Sequence, residues 1–215
     1  MMGMRTRLTP ALALLALLSI QGVAAAAPPG SCTRVLGFSN TAQWYKADGT
    51  NQVSGYETRT GHPEAWESQA RAGQEISEWG PGGSGWSSPV KYASCGGKPT
   101  AVALQVATKQ VEENGQLDEE IAAALSEIHA RLPNVTHIDV MPVQGGPGCG
   151  TYSEAIQPQM LAASQRAANA STKDDVFLGA VTAVTACDQF SDTRGHMTIA
   201  GASVVAQQVR DFYYG

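Results

Sequence analysis

The chain has 215 residues, 43% hydrophobic, 15% charged and 7% aromatic, with 23 glycines and 11 prolines. This composition excludes collagen-like, disordered and multi-span membrane classes and fits one globular domain, since domains of about 100 to 250 residues bury a sufficient core. A formal charge of −5, with no window rich in Lys and Arg, makes nucleic acid and anionic membrane surfaces poor partners, because both require clustered cations.

Arg5 and Arg7 precede an apolar run from Ala11 to Ile20 and the small residues Val23 to Ala27. That pattern predicts a secretory signal peptide over residues 1–26, cut after Ala26, and hence a secreted or periplasmic protein. The run is too short for a spanning helix, which needs about 20 apolar residues, so no membrane insertion is expected. Residues 27–215 then form one α/β domain with 12 basic and 19 acidic residues, a formal charge of −7. Cys32, Cys95, Cys149 and Cys187 all fall in this region, an even number that reads as two disulfides. Of the three possible pairings, Cys32 with Cys95 and Cys149 with Cys187 is preferred, since each closes within one half of the chain.

In chain order, Thr33 to Phe38 suits a buried first strand, Tyr45 to Gly61 is turn-rich, and residues 64–79 have weak helical character. Gly80 to Pro99 reads as loop. Thr100 to Thr108 is a continuous apolar run of the kind found in a parallel strand covered on both faces. Leu117, Ile121, Leu125, Ile128 and Leu132 recur at helical spacing, ended by Pro133. Val135 to Val143 is expected as a strand, Ser153 to Asn169 as a helix, and Val176 to Thr185 as the last strand. Ile199, Ala202, Val205, Ala206, Val209 and Phe212 stripe a closing helix. Strands alternating with helices imply right-handed crossovers and a three-layer α/β/α sandwich around a central parallel sheet.

Ligands of such sheets bind beyond the carboxyl ends of the strands. Two polar segments meet that condition, Gly37-Phe38-Ser39-Asn40-Thr41 after the first strand and Ser191 to His196 before the closing helix. A serine hydroxyl becomes a nucleophile when a base takes its proton and an acceptor orients that base. Ser39, His196 and Asp192 are of the right types for these three roles. His62, His129 and His137 are not paired at metal-ligand spacing, so they read as solvated or locally bonded groups and no metal site is expected.

In this order the segments resemble the SGNH hydrolase family, the GDSL esterases and lipases. Gly37-Phe38-Ser39-Asn40 is similar to its Gly-Asp-Ser block, and Asp192 to His196 is similar to its Asp-x-x-His block. Ala72 to Trp79 is similar to the block whose glycine, here Gly73, donates to the oxyanion hole. The resemblance spans residues 33–212 and implies the flavodoxin-like SGNH fold and a serine esterase acting on small acyl esters, including acetyl groups on carbohydrate. It implies catalytic Ser39, His196 and Asp192, an oxyanion hole from the backbone of Ser39 and Gly73, and neither metal nor organic cofactor. Three departures stand out: Phe38 replaces the family's Asp, the family's third-block Asn is missing, and three residues rather than two separate Asp192 from His196. Gln105, Thr108, Gln110 or a loop residue is the candidate replacement for the Asn, and Asp188 or a backbone carbonyl is the alternative partner of His196. Trp79 and Trp86 follow Gly73 and are candidates to stack on a sugar or line an acyl pocket, with a core role as the other reading. The competing function is a non-catalytic, glycan-binding protein on the same scaffold.

Overall fold

The computed structural model describes residues 31–46, 62, 65–108, 116–143, 145–146, 156–193 and 195–215. The expected signal peptide and most of the turn-rich segment after Tyr45 lie outside them. Five strands form one parallel sheet in the order β2-β1-β3-β4-β5. They are β1 (Thr33–Leu36), β2 (Trp66–Ser68), β3 (Ala101–Val106), β4 (His137–Pro142) and β5 (Val176–Leu178). Among the described residues four α-helices, α1 (Ser39–Lys46), α2 (Gln116–Arg131), α3 (Gln157–Ala170) and α4 (Ile199–Tyr214), cover its two faces. The expected three-layer α/β/α architecture is therefore observed, with the strand order of flavodoxin-like sheets.

The period of two in β3 divides its side chains between two cores. Val102, Leu104 and Val106 enter the first with Ile121 and Ile128 of α2 and Met160 of α3. Ala101 and Ala103 enter the second, where Trp44 and Tyr45 of α1, Trp66 of β2, and Val205 and Val209 of α4 pack. The small alanines leave room on that face for large rings, among them Trp66 and Tyr213, whose centroids are 4.9 Å apart at 83°. Thr198 caps α4, its hydroxyl accepting the Gly201 N–H at 3.3 Å.

Two expectations are corrected. The helix expected over 64–79 is not found in the described part, 65–79: Trp66–Ser68 is an edge strand paired with Thr33, Arg34 and Val35, and Ile76–Trp79 is a single 3-10 turn. The polar residue that breaks a strand pattern here, Glu67, is fully buried and bonded to the neighbouring strand, with Arg34 Nε donating to it at 2.6 Å. The last strand ends at Leu178 rather than Thr185. Beyond it the backbone of Val184 and Thr182 bonds to Gly145 instead. Cys32 and Cys95 form a disulfide with their Cα atoms 5.4 Å apart. Cys187 is also disulfide-bonded, and Cys149 lies outside the described residues. Among those residues no helix is long and apolar enough to cross a membrane.

One ionisable cluster is built into the second core. Asp139 of β4, fully buried, accepts the Tyr213 hydroxyl at 2.7 Å and lies 3.1 Å from His137 Nε2. Burial first, and then the Asp139 charge, hold the Tyr213 hydroxyl well above its ordinary titration range. Folding thus opposes ionisation of this tyrosine, so its contribution to stability is complete below about pH 10, the ordinary tyrosine value, and is lost as pH rises past it. Tyr213→Phe is expected to flatten the alkaline decline of stability in urea unfolding series run between about pH 9 and 11. At neutral pH the same substitution should cost about 1–3 kcal/mol, because Asp139 loses a hydrogen bond to its charge.

Candidate active site

The order of the sheet places the chain reversal at β1, which has β2 on one side and β3 on the other. The crevice at such a switch point is where α/β sheets hold ligands, and β1 delivers Gly37, Phe38 and Ser39 into it. Ser39 opens α1, so its backbone N–H is among those left without an intrahelical acceptor at the positive end of the helix.

Residues of α1 and β3 fix this turn. The Phe38 N–H donates to Thr41 Oγ1 at 3.1 Å, and the Thr41 hydroxyl is hydrogen-bonded to Gln105 Oε1 of β3. A side chain in the first helical turn that reaches back to the residue before the helix acts as half of a capping box. The Phe38 ring is buried in the first core. Thr41 and Gln105 therefore hold this turn, and Phe38 anchors it in the first core. Gly37 has to be a glycine: a Cβ there would collide with the Thr41 hydroxyl and stand 3.0 Å from Gln105 Cβ.

The loop before α4 comes to the same place. His196 Nε2 lies 3.0 Å from Ser39 Oγ, and His196 Nδ1 lies 2.7 Å from Asp192 Oδ2. The other oxygen of Asp192 accepts the His196 backbone N–H at 3.1 Å. The additional residue between acid and histidine is taken up in a turn, with Gly195 at φ +84° and its N–H bonded to Asp192 O at 3.3 Å. Asp192, rather than Asp188 in the 3-10 turn Cys187–Gln189, is the carboxylate bonded to the ring. With Nδ1–H given to Asp192, Nε2 is the acceptor facing the serine hydroxyl, for which Asn40 Oδ1 at 3.3 Å is a second acceptor. The side chains of His196 and Asp192 are 29% and 40% exposed, so the ring is open to an arriving ligand.

Gly73 follows β2. Arg71 N–H bonds Gly37 O at 3.3 Å, which brings this segment alongside the serine turn. Gly73 has φ +80° and nothing within 4 Å of where a Cβ would stand. A cavity of about 300 Å³ is lined by Ala70, Arg71, Ser88, Pro89 and Lys91. A larger cavity of about 570 Å³ lies between α2 and α3. Its lining includes neither Ser39 nor His196.

The tryptophans divide. Trp79 is fully buried in the first core, and a ring with no solvent-facing surface cannot stack on a sugar. Trp86 is half-buried, donates its indole N–H to Trp79 O at 2.8 Å, and has the Arg131 guanidinium 5.1 Å from its ring centroid. Gln105 is buried beneath Gly37, Thr108 is half-buried just past β3, and Gln110 lies outside the described residues. His62 lies against Tyr214 with the rings tilted by 36°, His129 pairs with Asp175 at 3.5 Å, and His137 stacks on Phe177.

The sequence matches no protein-family model and no curated protein. Two solved structures are similar. One is a carbohydrate esterase family 2 enzyme with a carbohydrate binding domain from Corynascus thermopiles (Myceliophthora fergusii), at 15% identity and TM-score 0.50, covering 88% of this chain and 67% of that one. The other is a carbohydrate esterase family 3 protein from Talaromyces cellulolyticus, at 14% identity and TM-score 0.54, covering 83% of this chain and 94% of that one. What is shared is the fold.

Gly37→Ala is expected to destabilise the protein by about 1–3 kcal/mol, the usual cost of overpacking, as Thr41 is pushed off Phe38. Urea unfolding of the variant beside wild type checks this.

Proposed function

We propose that the protein is a secreted serine esterase that removes small acyl groups, carbohydrate acetyl groups among them, through an acyl-enzyme on Ser39. One observation carries this reading: the hydroxyl, imidazole and carboxylate are in series, at 3.0 Å and 2.7 Å. The fold shared with two carbohydrate esterases supports the carbohydrate part of the proposal, and the basic, apolar, small-residue start of the sequence supports secretion.

In the proposed reaction His196 Nε2 takes the Ser39 proton as Oγ attacks the ester carbonyl. Asp192 keeps the proton on Nδ1 and stabilises the imidazolium that forms. Charge develops on the former carbonyl oxygen, and the backbone N–H of Ser39 at the start of α1, together with that of Gly73, is assigned to hold it. His196 then protonates the departing alcohol, and water, deprotonated by the same nitrogen, releases the acid. The left-handed backbone at Gly73 and the empty space around it leave a carbonyl oxygen room to approach. The glycan-binding alternative is weakened by the burial of Trp79 and by Arg131 lying over Trp86.

Hydrolysis of p-nitrophenyl acetate and of acetylated oligosaccharides is the test. Ser39→Ala should lower kcat by roughly 10⁴-fold or more, as removal of a triad nucleophile does. Asp192→Asn, which favours the wrong tautomer, should lower it by about 10²- to 10⁴-fold with KM little changed. Undiminished turnover in Ser39→Ala would sink the reading, and glycan binding without turnover of any ester would establish the alternative.

A further inference from the structure

We infer that Asn40 and Gln43 are positioning residues: two side-chain amides of α1 that grip the backbone on either side of His196 and set where its ring meets Ser39. The inference rests on the serine-esterase reading and adds to it a positioning role that neither the motifs nor the triad geometry assign to these two residues.

Three hydrogen bonds make the grip. Asn40, fully buried, donates through Nδ2 to Gly195 O at 2.6 Å. Gln43 Oε1 accepts the Met197 N–H at 2.9 Å, and Gln43 Nε2 donates to Met197 O at 3.2 Å. Positions 40 and 43 are three apart on a helix and so lie on one side of it, which lets both reach the same strand of loop. Gln43 bonds to Met197 as one strand residue bonds to another, giving and receiving through a planar amide. Among side chains only Asn and Gln can satisfy a backbone donor and a backbone acceptor through one planar amide while uncharged, and such a group brings no net charge near the imidazole.

Other bonds of this loop are local. His196 N–H goes to Asp192 Oδ1, and His196 O receives the Ser191 N–H at 2.7 Å and the Ser191 hydroxyl at 3.1 Å. The acid and base are therefore joined within a few residues of chain, whereas Ser39 belongs to α1, more than 150 residues away in sequence. Packing of Met197 in the second core beside Trp44 and Tyr45 brings helix and loop together, but apolar contact is non-directional. The amides supply direction. Asn40 follows the serine immediately, so the element that carries the nucleophile also holds the base.

The prediction follows from this division of bonds. Removing the grip should separate Ser39 from His196 while leaving His196 on Asp192. Gln43→Met keeps the length and volume of the side chain and removes its amide. Its kcat on p-nitrophenyl acetate should fall roughly 10- to 100-fold, the penalty for a displacement of about 1 Å at a reacting pair, with KM within about twofold of wild type. The downfield proton resonance of His196 Nδ1–H should persist, and labelling of Ser39 by a fluorophosphonate should slow in parallel with kcat. Gln43→Glu keeps the acceptor but, when ionised, sets an oxygen against Met197 O, and it should lose turnover too. This second variant serves if the methionine variant does not fold. A kcat within twofold of wild type in a folded variant, with Ser39→Ala inactive, would overturn the grip and leave the esterase reading standing. Loss of the His196 resonance together with a fall in Tm would also overturn it, by showing a general structural role. Full activity of Ser39→Ala would overturn the esterase reading, and the grip with it.

Discussion

The hydrogen bond between Ser39 Oγ and His196 Nε2 joins residues 157 apart in sequence, and the architecture is what permits it. Every strand of the sheet runs the same way, so all the loops that leave the strands at their carboxyl ends emerge along one edge. The serine turn is such a loop after β1. The histidine loop reaches that edge after β5 because α4 packs beside α1 on one face of the sheet, in a core that includes Trp44, Val205 and Met197. A hydrophobic face thus determines which two loops are neighbours. Directional bonds then determine how they meet.

The turn around Ser39 also illustrates how a fixed geometry can be reached with different residues. Phe38, just before Ser39, has its ring absorbed into the first core. The polar duty falls to Thr41, which takes the Phe38 N–H and is braced by Gln105 from the next strand. The turn is therefore held through a helix residue and a strand residue. In the histidine loop, a longer spacing is absorbed by a glycine in the left-handed region, and the carboxylate still reaches Nδ1.

Much of this organisation was legible in the amino-acid order. The apolar run of β3, the helical stripe of α2 and the closing stripe of α4 all announce themselves by period, because they bury one side or both against the sheet. β2 did not, since Glu67 looks like a surface residue until Arg34, in a strand 33 residues earlier, is known to lie beside it. Ser39, Asp192 and His196 were visible as reactive types after strand ends or in a polar loop. Asn40 and Gln43 were not, because a side-chain amide bonded to a distant backbone group leaves no spacing to read. Trp79 and Trp86 looked equivalent in sequence, and only burial separates them.

The disulfide between Cys32 and Cys95 closes a ring of chain across 63 positions. Inside that ring lie the serine turn, β2 and the Gly73 segment, and the covalent closure ties the approach to β1 to the approach to β3. A single backbone cut anywhere between the two cysteines would leave both fragments attached to one another. Ser39 and the Gly73 segment would then stay covalently tied to the part of the chain that carries Asp192 and His196.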